Sequence, residues 1–211
     1  MPENRLGRRL RCDVIGLDAM GVIYVAGDDV GELLIPFLQE RGCPLGPQRI
    51  EAVYREASLG RLTEAGFWAA MGLGLEPEHL SHAYLQRHRV RPGVLEFLEQ
   101  CQSAGIAVGC VTNDLAGWSA ILRRRHGLEA PIPTWIVSAE VGYRKPSPEI
   151  YDAFLASIRV PASRCLFVDD REANLDGANR AGMQPIRFGP PQIDSKYPLV
   201  SQLSELLSLA L

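Results

Sequence analysis

The chain has 211 residues, 46% of them hydrophobic, and a formal net charge of −3 with a pI near 5.8. This length fits one domain, or a core with a small insertion, and lets the fold bury roughly 70% of the unfolded surface without extra cross-links. The weak negative charge gives no electrostatic reason to expect a nucleic-acid partner. No stretch approaches the ~18 apolar residues of a membrane span, so none is expected.

The five cysteines are odd in number and widely spaced, and no C-x-x-C pair occurs. This pattern indicates neither a disulfide framework nor a zinc site, and it predicts a reducing, cytoplasmic location. The first eleven residues contain four arginines, Arg5, Arg8, Arg9 and Arg11. Because the apolar run after them is broken by Asp13 and Asp18, we expect no signal peptide.

Short apolar runs bounded by turn residues alternate with amphipathic segments along the chain. The runs predict strands near 13–18, 106–111, 134–138, 165–169 and 184–187. The amphipathic segments predict helices over 92–104, 114–126, 147–158, 171–182 and 199–209. Together they predict an α/β fold with a doubly wound, mainly parallel, Rossmann-like sheet.

Two of the predicted helices carry local signals. In the helix over 147–158, Ser147 is placed to cap the amino terminus and Pro148 suits the first helical position. The helix over 92–104 contains a set of apolar residues expected to face the core: Val94, Leu95, Phe97, Leu98 and Cys101.

Roughly 65 residues separate the first strand from the crossover helix, far more than a typical strand-to-helix loop. Turn signals divide this stretch into helices predicted near 29–41, 47–58, 63–71 and 77–89. We therefore predict a small all-helical cap, inserted after the first strand and seated over the carboxyl end of the sheet. The predicted division is a core of residues 1–24 and 91–211 with a cap of residues 25–90.

Polar side chains stand where the apolar runs end. Asp18 follows the first strand, Thr112 follows the second, and the pair Asp169 and Asp170 ends a later one. The carboxyl ends of such strands converge on one ligand crevice. A buried cluster of carboxylates is costly unless a cation compensates, which indicates a metal. Lys145 is notable because the 22 basic residues include only one other lysine.

Four stretches resemble, in order and spacing, the motifs of the haloacid-dehalogenase-like (HAD) hydrolase superfamily: VIGLDAMGVIY, IAVGCVTND, GYRKPSPEIY and CLFVDDREANLDGA. The resemblance covers essentially the whole chain and includes a helical cap after the first motif. It implies that Asp18 is the nucleophile, attacking phosphorus to form an aspartyl-phosphate. It also implies that Lys145 neutralises charge between Asp18 and the bound anion.

The same resemblance assigns the remaining positions. Thr112 and Asn113 would bind the phosphoryl oxygens, and Asn174 would orient the loop or Lys145. Magnesium would be held by a set of oxygen ligands, which suits its chemistry. The implied ligands are Asp18, the backbone carbonyl of Met20, Asp169 and Asp170. For Asp170, a carboxylate at a helix amino terminus is the alternative.

Met20 departs from the family pattern. Phosphatases of this superfamily carry a second aspartate there, which protonates the leaving oxygen and later activates water. A thioether does neither, and the loss of a general acid/base typically costs ~10²–10⁴ in rate. We therefore expect Mg²⁺-dependent hydrolysis of a small phosphorylated metabolite, slow on ordinary esters or limited to good leaving groups.

Two alternatives stay open. The first is a catalytically silent member that binds a phosphorylated ligand or a protein. The second is a 2-haloacid dehalogenase, because halide leaves without protonation, although the adjacent Asp169 and Asp170 would repel a carboxylate-bearing substrate. The oligomeric state is not predicted. The cap offers several possible substrate selectors: Arg55, Arg61, Phe67, Trp68, His82, Arg87 and His88. Phe67 and Trp68 are expected in the cap's own core.

Overall fold

The computed structural model describes residues 12–210; the arginine-rich stretch 1–11, which was not expected to be a signal peptide, lies outside the described residues. The strands are β1 (Val14–Leu17), β2 (Ala107–Thr112), β3 (Thr134–Val137), β4 (Cys165–Asp169), β5 (Gln184–Phe188) and β6 (Leu199–Val200). They form one parallel sheet of order β3-β2-β1-β4-β5-β6. This is the doubly wound Rossmann-like order, so the predicted fold class is confirmed.

The helices of the inserted segment are α1 (Ile35–Gln39), which continues a π-helical turn at Val30–Leu34, α2 (Pro47–Ala57), α3 (Glu64–Ala70) and α4 (Pro77–Leu85). The helices that flank the sheet are α5 (Val94–Ser103), α6 (Ala116–Arg125), α7 (Ser138–Val141), α8 (Pro148–Ile158), α9 (Glu172–Arg180) and α10 (Ser204–Ala210). A 3₁₀ turn at Ala162–Arg164 leads into β4.

The predicted strands agree with β1–β5 to within one residue at each end, and β6 was missed. The predicted helix 199–209 was wrong at its start, since α10 begins at Ser204. Leu199 and Val200 instead pair with Arg187 and Phe188 of β5. A run of two apolar residues is too short to show a strand periodicity in the sequence. These residues form a strand because they pair with the edge of β5.

Two local predictions were partly wrong. Leu95 is 51% exposed. The buried stripe of α5 follows the spacing of 94, 97, 98 and 101, and residue 95 points away from it. At α8, Pro148 does occupy the first turn and Ser147 the capping position, but Ser147 makes no capping bond. Its hydroxyl donates to the carboxylate of Glu149 instead.

The sheet is covered on both faces. Ile15, Leu17 and Val168 belong to the hydrophobic cluster on one face, and Phe154 of α8 packs against Phe167 in the cluster on the other. This double burial explains why β1, and β4 as far as Val168, are apolar. Within residues 12–210, no helix combines the length and apolarity that a membrane crossing requires.

The inserted segment shares a hydrophobic cluster with the core. Trp118 of α6 lies among aromatic rings of the segment, with centroid separations of 4.8 Å to Tyr84, 5.2 Å to Phe67 and 5.5 Å to Trp68. The division into a core and a cap of residues 25–90 stays a prediction. Below, "helical segment" denotes residues 25–90.

Candidate active site

The residues of the candidate site lie at the carboxyl ends of three neighbouring strands. β1 lies between β2 and β4, so Asp18 after β1, Thr112 at the end of β2 and Asp169 at the end of β4 become neighbours. The register is held past the last strand residue by a hydrogen bond from the Asp18 N–H to the carbonyl of Val168, 2.8 Å long. All three side chains are buried.

Lys145 joins the carboxylates. Its Nζ lies 2.6 Å from Oδ1 of Asp18 and 2.9 Å from Oδ2 of Asp169, with 5% of the residue exposed. Asn113 fixes its backbone, because the Lys145 N–H donates to Oδ1 of Asn113 at 2.7 Å and the carboxamide donates to the Lys145 carbonyl at 3.1 Å. The Asn113 side chain is therefore occupied in placing the lysine, and its role in substrate binding stays a prediction.

Asn174 acts on Asp169. Its carboxamide nitrogen lies 3.0 Å from both carboxylate oxygens of Asp169, and the N–H of Arg171 donates to Oδ1 at 2.8 Å. Asn174 was expected to orient the loop or Lys145. Its contact is with the carboxylate of Asp169, and Asp169 in turn forms the ion pair with Lys145.

Asp170 completes an acidic cluster. One carboxylate oxygen from each of Asp18, Asp169 and Asp170 can be chosen so that all lie within 4.8 Å of one another. Oδ1 of Asp170 is buried and has no hydrogen-bond partner among residues 12–210. Asp170 directly precedes Arg171, the capping residue of α9, so its two predicted roles, a metal ligand and a carboxylate at a helix amino terminus, both stay predictions.

Charge in the cluster is unbalanced, since three carboxylates face the ammonium of Lys145 and the half-exposed guanidinium of Arg171, whose Nε lies 3.9 Å from Oδ1 of Asp170. Burial raises the pKa of Asp18 above its ordinary value, and repulsion by Asp169 adds to this. Burial likewise raises the pKa of Asp170 to about 6, with Asp169 again adding to the shift. Burial alone would lower the pKa of Lys145, but Asp169 and Asp18 raise it above its ordinary value.

The donor set fits a hard divalent cation. Carboxylate oxygens are the ligands that Mg²⁺ prefers, and a few of them suffice because Mg²⁺ keeps several waters. Oδ1 of Asp170, which accepts no hydrogen bond within residues 12–210 and lies 3.9 Å from Nε of Arg171, supplies an available ligand atom. Met20, buried at 7% exposure, lines the cavity beside this cluster.

A cavity of about 650 Å³ opens at Asp18 and Lys145, and Asn174 also lines it. Thr112 lies on its wall, and the Thr112 hydroxyl is buried without a hydrogen-bond partner among the described residues. A threonine at a strand end often bonds to the local backbone, but Thr112 makes no such bond within residues 12–210. The hydroxyl is available to donate to an anionic oxygen of a ligand.

Helix α2 forms the opposite wall. Gln48, Glu51, Ala52 and Arg55 line the cavity, at the spacing of one helical face. Arg55 is thus the candidate selector that reaches the cavity. The others are absent from its lining: Arg61, Phe67, Trp68, His82, Arg87 and His88. Phe67 and Trp68 are buried in the aromatic cluster, as expected.

Five charged residues of the cavity were not predicted from the sequence: Asp28, Asp29, Glu51, Arg144 and Arg171. Arg144 and Arg171 each adjoin a motif residue, and this adjacency was an available signal. Asp29 stands just before a helix, where an aspartate ordinarily indicates a cap, so its sequence position gave no reason to expect a cavity residue.

Comparison with known proteins identifies the class. The family described as haloacid dehalogenase-like hydrolase matches residues 13–182. The chain therefore belongs to the haloacid dehalogenase-like hydrolases.

Curated relatives are named as phosphatases. The chain is 31% identical over 186 residues to a phosphoglycolate phosphatase of Pseudomonas savastanoi pv. phaseolicola, covering 81% of this chain and 66% of that protein. It is 31% identical over 111 residues to a ribulose-1,5-bisphosphate 5-phosphatase of Halopiger xanaduensis, covering 52% and 46%. A glyceraldehyde 3-phosphate phosphatase of Methanopyrus kandleri is 29% identical over 128 residues, covering 56% and 54%. The chain thus spans about half to two thirds of the length of these relatives.

Solved structures share the fold. A HAD phosphatase from Thermococcus onnurineus superposes with a TM-score of 0.74 at 18% identity, over 93% of this chain and 97% of that one. A 2-haloacid dehalogenase from Pseudomonas syringae pv. Tomato gives 0.68 at 19% identity, over 94% and 97%. At these identities the likeness shows the fold alone.

Proposed function

We propose that this protein hydrolyses a small phosphorylated metabolite by attack of Asp18 on phosphorus. The observation that carries the proposal is that Asp18, Lys145 and the unpartnered hydroxyl of Thr112 line one cavity, while the buried Asp169 holds Lys145 from behind its wall. Relatives named as phosphatases support the reaction class. The particular metabolite stays open, as does the predicted cytoplasmic location.

Each residue has a part that its contacts support. An oxygen of Asp18 forms the bond to phosphorus while the bond to the leaving oxygen breaks. Lys145 offsets the repulsion between this carboxylate and the anionic phosphoryl group, and the hydroxyl of Thr112 and the backbone at Asn113 hold phosphoryl oxygens. Asp18, Asp169, Asp170 and the Met20 carbonyl would hold Mg²⁺, which supplies further charge stabilisation when bound.

Met20 shapes the expected substrate range. Its thioether offers no proton to a departing oxygen, so good leaving groups such as acyl phosphates should react most readily. Met20 is also the observation that favours the second candidate, a silent member that binds a phosphorylated ligand. Against the dehalogenase alternative, the three clustered carboxylates would repel a 2-haloacid.

A hydrolysis screen tests the proposal. Phosphate esters, acyl phosphates and 2-haloacids are offered with and without Mg²⁺ to the wild type, to Asp18→Asn and to Asp152→Asn, an exposed acid on α8 that serves as the matched control. We expect Mg²⁺-dependent phosphate release that Asp18→Asn abolishes and Asp152→Asn leaves intact. Metal-independent halide release, or ligand binding without turnover, would contradict the proposal.

Mg²⁺ binding has a readout that does not depend on turnover. A ligand that binds only the folded state stabilises it by about 2.7 kcal/mol at a concentration 100 times its Kd. We expect the thermal midpoint to rise with Mg²⁺ in the wild type and to respond far less in Asp169→Asn. An equal response of both proteins would show that the cation binds elsewhere.

A further inference from the structure

Asp29, a buried aspartate of the helical segment, lies on the wall of the same cavity as Asp18. It is 6% exposed and immediately precedes the π-helical turn at Val30–Leu34. An aspartate there ordinarily caps the helix by accepting a backbone N–H. Asp29 makes no capping hydrogen bond. The start of the helix therefore does not account for this carboxylate.

Neighbouring residues organise this helix start instead. Glu32 accepts the N–H groups of Gly27 and Asp28 at 3.1 and 2.8 Å, and the carbonyl of Asp28 accepts the N–H of Glu32 at 2.6 Å. Within residues 12–210, the Asp29 carboxylate receives a single hydrogen bond, from the Tyr84 hydroxyl at 3.4 Å, and forms no ion pair. A buried carboxylate with so little compensation favours a proton or a ligand donor.

Charged and titratable groups approach Asp29 from both the segment and the core: Asp28, Tyr54, Tyr84, Asp114, Arg144 and Arg171. Burial raises the pKa of Asp29 to about 6, and repulsion by Asp28 adds to the shift. Arg171, the Tyr84 hydrogen bond and Arg144 act in the opposite direction. A group that exchanges its proton near neutral pH suits general acid/base catalysis.

The other acids of the cavity are less suited to this task. Asp18 forms an ion pair with Lys145 and has the proposed role of attacking phosphorus. Asp28 and Glu51 are exposed to solvent. Met20 has no proton to give. Among the described residues that line the cavity, Asp29 is thus the buried acid without a direct cationic partner.

We propose that Asp29 is the proton donor to the leaving oxygen of a phosphate ester, and so performs the step that Met20 cannot. The inference rests on the proposed function. As the Asp18 oxygen bonds to phosphorus and the bond from phosphorus to the leaving oxygen breaks, the proton of Asp29 passes to that oxygen and releases an alcohol. The Asp29 carboxylate then takes a proton from the water that attacks phosphorus, which frees Asp18 and inorganic phosphate.

Leaving-group dependence tests this role. Glycerol phosphate, an alkyl ester, needs a proton on its leaving oxygen, and acetyl phosphate does not. We expect Asp29→Asn to lower kcat/KM for glycerol phosphate by ~10²–10⁴ while acetyl phosphate stays within about threefold. Because both substrates are measured on the same sample, an equal loss with both would overturn the proposal.

Two further variants sharpen the comparison. Asp28→Asn removes the adjacent exposed acid of the same cavity wall, and we expect any change to affect both substrates by the same factor. Adding Met20→Asp to Asp29→Asn supplies a new carboxyl group beside Asp18, and we expect it to restore the alkyl ester reaction selectively. A selective loss in Asp28→Asn, or no selective recovery in the double variant, would contradict the assignment.

The pH profile gives an independent readout. In the wild type, kcat/KM for glycerol phosphate should fall as pH rises through about 6, where Asp29 loses its proton. Acetyl phosphate should show no such fall, and Asp29→Asn should abolish it. Tyr84→Phe removes the hydrogen bond that lowers the Asp29 pKa, so the fall should move to higher pH. A profile unmoved by Tyr84→Phe would overturn the proposal.

Asp18→Asn separates this inference from the proposed function. If neither substrate shows turnover that depends on Asp18, the proposed function fails and the role of Asp29 falls with it. If Asp18→Asn abolishes turnover while Asp29→Asn leaves the ratio of the two substrates unchanged, the role of Asp29 alone is wrong.

Discussion

Lys145 shows how one residue holds the site together. It is buried, and its ammonium lies between Asp18 and Asp169, whose carboxylates would otherwise be buried side by side. Asn113 fixes the lysine backbone and Asn174 fixes Asp169. These hydrogen bonds and ion pairs together hold the carboxylates of Asp18 and Asp169 close to each other. Such an arrangement costs stability, and the phosphoryl chemistry proposed above is a reason for it.

Replacing Lys145 by methionine should expose this cost. The change leaves two carboxylates buried without their partner, and removing one member of a buried ion pair typically costs ~3–5 kcal/mol. We expect urea unfolding in the absence of Mg²⁺ to show a loss of this order. The double variant with Asp18→Asn should recover part of it, because one of the stranded charges is gone. A loss below ~1 kcal/mol, or no recovery, would contradict this account.

At the scale of elements, the packing of α8 on the sheet depends on two glycines. A Cβ at Gly16 or Gly109 would lie 2.8 or 2.6 Å from the ring of Phe154, which is fully buried. The absence of side chains on β1 and β2 thus lets the aromatic ring approach the sheet. Because Lys145 lies in the loop just before α8, the seating of this helix also helps to place the site.

Gly109→Ala should therefore destabilise the fold. The added methyl group forces the Phe154 ring to move within a filled core, and overpacking of this kind typically costs ~1–3 kcal/mol. Combining it with Phe154→Leu should relieve part of the loss. Gly46→Ala is the matched control, since Gly46 has a φ of −74° and its Cβ would meet only the tip of Gln48 at 3.9 Å. Denaturant unfolding measures all three, and equal effects at the two glycines would refute the packing argument.

At the scale of the whole molecule, the two chain crossings between the core and the helical segment lie side by side and are hydrogen-bonded to each other, and the two parts share a hydrophobic core. The N–H of Val25 donates to the carbonyl of Arg89, and the N–H of Arg91 to that of Ile23. Trp118 inserts from the core into the aromatic cluster of the segment. We therefore expect this interface to contribute to the stability of both parts.

Buried polar atoms gather beside the crossings. The Tyr24 hydroxyl, both ring nitrogens of His88 and Nε2 of His126 have no hydrogen-bond partner among the described residues. The rings are close, with centroids 6.2 Å apart for Tyr24 and His88 and 5.9 Å for Tyr24 and His126. Unpartnered polar groups at this density are a common location for buried water.

Acidic pH should lower the free energy of unfolding by protonating His88. Burial lowers the pKa of His88 to about 4, and His126 and Arg125 nearby act in the same direction. The unfolded chain, with an ordinary histidine pKa of about 6.5, binds the proton more readily. Above that value His88 therefore has no effect on stability, and as the pH falls towards the folded-state pKa stability is lost, by about 2 kcal/mol at pH 5.

Unfolding free energies of the wild type and His88→Phe at pH 7.5 and pH 5 check this prediction. The wild type should lose more stability on acidification than the variant, by that amount. His82→Gln is the matched control, because His82 is an exposed histidine of α4, the helix that ends shortly before His88. Equal acid losses in the wild type and His88→Phe would show that His88 does not control the response.

The sequence by itself determined the fold and the acidic edge of the sheet. Apolar runs of four to six residues predicted the five strands β1–β5, and the residue at the end of each run predicted Asp18, Thr112 and Asp169 as neighbours. Both inferences are local: burial on two faces requires continuous apolar residues, and parallel strands end at the same edge.

Only the tertiary structure decided which groups the side chains meet. It showed that Asn174 hydrogen-bonds to Asp169 and that Asn113 hydrogen-bonds to the backbone of Lys145. It also showed that Asp29 makes no capping hydrogen bond and lines the cavity. Periodicity reports how one element is buried but not where a second element lies. The partners of a side chain depend on how distant elements dock, and no local pattern records that.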